Sequence, residues 1–288
     1  ETAVPGEVSN RIGGKPGSDF MVDVIKSLDI KYAPTNCASS FRALHESLIN
    51  YGENKAPEYL SCMHEESGVG MAHGYFKASG KPLLTMVHGT VGLQHATMGI
   101  YNAFCDRVPL FIIGGNDLDA AHRPPGVPTF HSAQDINALV RDFTKWDAQP
   151  KTLDETLVAI QRAYNEAITP PLGPTLVVID SEIQKDNAPN AKVPAYKPPT
   201  FPTIDATTTR AIAKGLLDAR NPRINVGRLR TPDGVKKSVE LAELVAASTS
   251  TTATGGPMSF PQRHPLCGPG ADTNYDYVLG LEVAGTNA

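Results

Sequence analysis

From residue 19 to residue 180 the chain alternates short apolar runs with segments whose apolar residues recur at helical spacing. LLTMVH, PLFIIGG and PTLVVID are almost unbroken by polar residues. A strand that is apolar on both faces must be covered on both faces. That condition is met by a parallel sheet with helices above and below it. The fold class expected is therefore α/β, a doubly wound parallel sheet. Ligands of such sheets sit outside the carboxyl ends of the strands. Met63-His64-Glu65 and His88-Gly89 follow successive strands, so they are expected to face one crevice.

The predicted elements run in order. Helix 20–30 and strand KYAPT come first, then helix 39–52, strand PEYLSCM and a helix closed by Gly80 with Pro82 beyond it. Strand LLTMVH, helix 91–105 and strand PLFIIGG follow. A proline-rich loop leads to helix 132–142, strand FTKWDAQ, helix 153–168 and strand PTLVVID. Residues 183–205 are rich in Pro and poor in bulky apolar groups, which suits an extended linker. A second alternating region spans 206–288: helix 206–219, strand RINVG, helix 233–247, strand STSTTAT and strand YDYVLGLEV.

Composition narrows the function classes. Of the 288 residues, 41% are hydrophobic and 19% charged, which supports a sizeable core and argues against global disorder. A net charge of -4 leaves no basic footprint for nucleic acid. No run of 18 apolar residues is present to span a membrane. Cytoplasmic residence is the expectation, with export after removal of a leader as the alternative, since ETAVPGEVSN opens without Met and fits a processed or partial chain. Cys37, Cys62, Cys105 and Cys267 form no CxxC pair and are expected to be buried free thiols.

The stretch 62-CMHEESGVGMAHGYFKASGKP-82 carries the chemistry. A carboxylate in the first turn of a helix is ordinary, because the dipole and free amides favour it by roughly 0.3–1 kcal/mol. Three interior glycines, Gly68, Gly70 and Gly74, are not ordinary. Each costs about 0.5–1 kcal/mol relative to Ala, so they are expected to let a helix, a subunit or a flat ligand approach closely. The turn 34-PTNCASSF-41 lacks G-x-G-x-x-G, which disfavours a plain dinucleotide-binding protein.

At 64-HEESGVGMAHGYFKASGKP-82 and the following LLTMVHGTVGLQHATMGIYNAFCDRVPLFIIGG, the chain resembles a known family. This is the thiamine diphosphate-dependent enzymes of the acetolactate synthase, benzoylformate decarboxylase and pyruvate decarboxylase group. The resemblance covers residues 19–180 well and continues more weakly into 206–283, where FP and HPL at 264–266 fit the family's central domain. It implies a pyrimidine-binding domain over 1–182, a linker over 183–205 and part of a central domain over 206–288.

The resemblance assigns roles. Glu65 would exchange a proton with a ring nitrogen of the cofactor's aminopyrimidine, with Glu66 the competitor for that role. His88 matches a histidine that acts on substrate in benzoylformate decarboxylase, which favours decarboxylation or carboligation of a 2-oxo acid. Gly89, Gly92 and Asn36 would contact the cofactor, although PTNCASS departs from the family's Pro-Gly pattern. His131, Gln134 and Asn116 are candidates for the substrate side, each with a plain structural alternative. His95 stands where the family often has Asn. His64 reads as structural or interfacial, and His73 as packed or solvated. The cluster 220-RNPRINVGRLR-230 reads as a solvated face, with an anion site as the alternative.

No GDG segment occurs in these residues, and no metal ligands are assigned within them. The family's magnesium and diphosphate site lies in a third domain, so the chain is expected to hold half of a site. Either a longer protein or a second chain would supply the rest, in a homodimer or homotetramer. A non-catalytic relative that keeps the fold for assembly or regulation is the other class. Flavin, bound by some relatives, has no support in the sequence.

Overall fold

The computed structural model describes residues 15–117, 131–187, 191–201, 203–251, 258–268 and 273–283. The expected loop after residue 117, the centre of the expected linker and part of the loop before HPL lie outside these. The chain divides into two compact units, Glu1–Phe201 and Pro202–Ala288.

In the first unit the elements are α1 Gly17–Ser27, β1 Tyr32–Thr35, α2 Arg42–Glu46, β2 Glu58–Ser61, α3 Glu65–Ser79 and β3 Leu84–Val87. They continue with α4 Thr90–Cys105, β4 Phe111–Asn116, β5 Trp146–Ala148, α5 Leu153–Ile168, β6 Thr175–Asp180 and α6 Ser181–Lys185. These strands pair in parallel, β1 with β2 and β3-β4-β6-β5, and an isolated antiparallel bridge joins Pro16 to Asn187. β3, β4 and β6 are buried along their whole length, as their unbroken apolar sequence requires.

β1 lies beside β3 without a backbone ladder. Pro34 has no N–H to donate, and the Met86 N–H reaches the Thr35 hydroxyl instead, at 3.3 Å. The chain leaves β1 toward β2 on one side and β3 toward β4 on the other. The β1/β3 boundary is thus the topological switch point, where a doubly wound sheet opens its binding crevice. α3 and α4 pack together over one face, and α1, α5 and α6 cover the other.

α3 ends as its sequence implies: Gly80 is left-handed (φ 72°) and its N–H bonds the Phe76 carbonyl at 2.8 Å. Its three interior glycines do not act alike. A Cβ on Gly68 would meet the Pro34 carbonyl oxygen at 3.0 Å, so α3 does sit close on β1 there. Around Gly70 and Gly74 nothing lies within 4 Å, so no close approach explains them within this unit.

One predicted helix changes its winding and another is replaced by shorter turns. Residues 39–51 stay helical, as a 3-10 turn, the short α2 and a π-turn over Ser47–Tyr51 that closes at Gly52. Ser47, where the winding widens, is tied to Ser18 and Asp19. Residues 132–142 hold only 3-10 turns at Asn137–Leu139 and Arg141–Phe143. Ile136 and Val140 still bury on one side, so the apolar spacing was real. Arg141 clamps Asp135 and Asp147 and draws the segment into tight turns. Residues 191–201 have no regular structure and run along α5, where Gln161 and Asn165 bond the Pro194 and Lys197 carbonyls.

The second unit has α7 Ala206–Asp218, β7 Pro222–Val226, α8 Pro232–Leu244, β8 Ser248–Thr251 and β9 Tyr277–Leu281. Its sheet is parallel in the order β8-β7-β9, around Leu216, Ile224, Val226, Ala242 and Phe260. The basic cluster is not simply a solvated face. Arg223 bonds Ser248, the Gly268 carbonyl and Tyr275, and Arg230 pairs with Glu282 at 3.4 Å. No cysteine is buried as a core thiol: Cys37 and Cys105 are exposed, and Cys62 and Cys267 half-buried. The reason is local, since Cys37, Cys62 and Cys105 lie at or just after element ends and Cys267 lies in the loop between β8 and β9.

Candidate functional site

His64 is the N-cap of α3, in extended conformation, and its Nδ1 accepts the Glu66 N–H at 3.3 Å. Glu65 is therefore the first helical residue and turns inward. It is only 3% exposed, whereas Glu66 faces solvent. That separates the two candidate carboxylates. The helix N-terminus favours a negative charge at both, but burial falls on one.

α4 supplies the other wall. A Cβ on Gly92 would lie 2.7 Å from Glu65 Oε1 and 2.9 Å from the His88 Cβ. The bare α-carbon of Gly92 thus separates the carboxyl from the histidine and leaves room for neither to move toward it. One turn on, His95 Nδ1 lies 3.1 Å from Glu65 Oε2. The His95 ring stacks on His64, with centroids 4.5 Å apart and planes at 23°. His64, Glu65 and His95 thereby bring three metal-type donors within 4.8 Å. Stacked rings hold their nitrogen lone pairs side by side, whereas tetrahedral zinc needs donors converging on one point at about 2 Å. The trio as arranged is one hydrogen-bonded pair, Glu65 and His95, with the His64 ring stacked on the second.

His88 follows the last residue of β3 and is half-buried. Its Nδ1 accepts the Gly89 N–H at 3.0 Å, and the Ser40 hydroxyl lies 2.7 Å from the same nitrogen. With Nδ1 an acceptor, the neutral ring carries its proton on Nε2. That nitrogen lies 3.1 Å from His131 Nδ1. Burial pushes the His88 pKa below its ordinary value. Asp117 and Glu65 oppose this and the neighbouring His131 adds to it, and burial is the largest effect. Gly89 is needed where it stands, because a Cβ there would meet the Gly115 and His131 carbonyl oxygens at 2.9 and 3.0 Å.

The structure gathers Glu65, Gly92, His88, Gly89 and His131 into one cluster at the strand ends. Asn36, just after β1, is half-buried. Asn116 is not part of the cluster. It ends β4 fully buried and donates to Asp180 Oδ1 of β6 at 2.7 Å, a pairing of two polar strand ends within the sheet. Gln134 is exposed, in the segment that failed to form a helix. A cavity of 340 Å³ lined by Ser39, Arg42, Asp117, Glu182 and Lys185 reaches neither Glu65 nor His88. Its lining mixes both charges.

Two site residues gave no signal in sequence. Ser40 is fully buried and touches His88 from 48 residues away. Gln184 holds that serine's loop by donating to the Ser40 carbonyl at 2.8 Å, and it accepts the Leu44 N–H at 3.3 Å. Neither is in a motif, and only an alignment of related chains could have singled them out. His73 is packed, as one of its readings had it: it bonds Asp106 at 3.0 Å, beside Lys77.

Comparison with known proteins meets this geometry. Residues 15–132 match the family model described as "Thiamine pyrophosphate enzyme, N-terminal TPP binding domain". The mitochondrial acetolactate synthase catalytic subunit of Saccharomyces cerevisiae is 27% identical over 217 residues, 70% of this chain and 30% of that protein. Benzoylformate decarboxylase of Pseudomonas aeruginosa is 26% identical over 229 residues, 75% of this chain and 42% of that protein. The chain thus spans well under half the length of either relative. A solved structure described as a thiamin diphosphate-dependent enzyme from Mycobacterium smegmatis superposes with a TM-score of 0.73 at 22% identity, over 92% of this chain and 52% of that one, which bears on the fold. The domain match falls on the residues that carry Glu65, Gly92 and His88, so residues 15–132 of this chain are similar to the N-terminal domain of thiamine pyrophosphate enzymes.

Proposed function

We propose that this chain supplies the pyrimidine-activating half of the active site of a decarboxylase or carboligase acting on a 2-oxo acid. The observation that carries the reading is the buried Glu65 carboxyl at the start of α3, with its Oε1 against the bare α-carbon of Gly92. A Cβ at Gly92 would displace the carboxyl that a flat ring has to meet. Thiamine diphosphate, when bound, supplies a nucleophilic carbon that adds to a carbonyl and an electron sink for the pair left by decarboxylation.

The chain's own residues then have separate tasks. Glu65 holds or passes a proton at a ring nitrogen from a site with little water. Gly92 would keep the Glu65 carboxyl in place for the ring, Gly89 would hold the tight turn that carries His88, and Asn36 would offer the ring a polar group. His88, neutral and protonated on Nε2, donates toward the substrate's oxygens from the far side of Gly92, and His131 accepts from it between turnovers. The resemblance of 86-MVHG-89 to benzoylformate decarboxylase supports the 2-oxo acid. Magnesium and the diphosphate would be held by residues beyond these 288, and assembly as a homodimer or homotetramer would bring the halves together.

Glu65→Gln tests the reading in the intact protein. Turnover should fall by a factor on the order of 100 or more, with the urea midpoint unchanged. Turnover at the original rate would remove Glu65 from the mechanism.

A further inference from the structure

We infer that His95 is a positioning residue for the Glu65 carboxylate, and that His64 holds the His95 ring in place for it. This rests on the reading of Glu65 given above.

A carboxylate has two oxygens and rotates about its last bond. An oxygen that must meet a ring nitrogen is well placed only if that rotation is stopped. Oε1 lies over Gly92, and Oε2 lies 3.1 Å from His95 Nδ1. Gly92 and His95 are three residues apart on α4 and share one face of it. One helix therefore presents a gap to the first oxygen and a donor to the second. The carboxylate can only accept, so His95 donates through Nδ1–H.

His95 is itself 45% exposed in its side chain and has two freely turning bonds. It is steadied by the His64 ring stacked on it at 4.5 Å. His64 in turn is fixed to the backbone, because its Nδ1 caps α3 through the Glu66 N–H. The constraint thus runs from the α3 N-terminus through His64 and His95 back to Glu65, closing a loop around the carboxyl. Loss of one link would leave Glu65 buried but free to turn. Misplacement on the order of 1 Å can cost about 100-fold in rate.

The test is the rate of hydrogen–deuterium exchange at C2 of thiamine diphosphate bound to the intact holoenzyme, followed by proton NMR after quenching. This step precedes any contact with substrate. Wild type, H95L, H95N, H95Q, H64L and E65Q are compared, with KM for the 2-oxo acid and the thermal midpoint. H95L and H95Q should exchange about 10- to 100-fold more slowly, with KM and the midpoint unchanged. H95N, whose amide N–H falls where Nδ1–H was, should restore most of the rate, while H95Q puts its donor where Nε2 was. H64L should give an intermediate loss. Wild-type exchange in H95L, with E65Q silent, overturns the role of His95 and leaves that of Glu65. Exchange in H95N as slow as in H95L also overturns it, because the Nδ1 bond is then not the agent. Wild-type exchange in E65Q would instead sink the reading of Glu65 itself, and this inference with it.

Discussion

Gly92 faces Glu65 so closely that a Cβ on the glycine would lie 2.7 Å from the Glu65 Oε1. The same Cβ would lie 2.9 Å from the Cβ of His88. Gly92→Ala should therefore push apart the two side chains to which the proposed chemistry is assigned. Ala is the better helix former by about 1 kcal/mol, but overpacking a tight site costs about 1–3 kcal/mol. The expected outcome is a lower urea midpoint together with a loss of kcat on the order of 10-fold or more. A variant of full activity would show that the site has more room than these distances allow.

The acid limb of the pH–rate profile should lie below the ordinary histidine pKa of about 6.5. Burial holds His88 neutral, and the Gly89 N–H and Ser40 hydroxyl both bond its unprotonated Nδ1. Ser40→Ala removes one bond that favours the neutral ring. The limb should then move up toward 6.5, by an amount read directly from kcat/KM against pH. An unmoved limb would mean that Ser40 does not set the protonation of His88.

Stability should fall on mild acidification, and the direction follows from two histidines. Burial lowers the pKa of both His88 and His45, the latter stacked on Tyr59 at 4.3 Å. The unfolded chain then takes up more protons than the folded one between the folded pKa values and about 6.5. Their contribution is complete above about 6.5 and is lost as pH falls through the folded values. Both rings keep part of their hydration, so the two together should amount to less than about 1 kcal/mol. Urea midpoints at pH 7.5 and 5.5, for wild type and His45→Phe, measure it. The variant should show the shallower slope.

Gly70→Ala and Gly74→Ala should each stabilise α3 by about 0.5–1 kcal/mol, since nothing lies within 4 Å of either added methyl. Gly68→Ala should not, because its methyl would press on the Pro34 carbonyl at 3.0 Å. Thermal midpoints of the three variants separate the positions. Equal stabilisation at all three would mean that α3 does not rest on β1 as closely as described.

Much of the first unit was legible. β3, β4 and β6 need only a run of apolar residues to be found, because a strand buried on both faces has no polar side to hide its pattern. α3 announces both ends, through Glu65 and Glu66 at its start and Gly80 with Pro82 at its close. The helix expected over 132–142 failed for a reason outside its own periodicity: Arg141 is drawn across to Asp135 and Asp147. Asn116 looked like a crevice residue because it ends an apolar strand, but its partner Asp180 lies on a strand 64 residues further on.

By itself the sequence determined the alternation of strand and helix, and with it the layered parallel sheet and the edge of that sheet at which a ligand would sit. It also put a carboxylate, a histidine and two glycines at the strand ends, since hydrophobic period and backbone freedom are local properties. Tertiary structure alone decided which carboxylate turns inward, that His95 answers Glu65, and that Ser40 and Gln184 hold His88 and its loop. Those contacts join residues 30, 48 and 144 positions apart. A hydrogen bond of about 3 Å depends on the packing of whole helices and strands, and no local pattern encodes a distance of that kind.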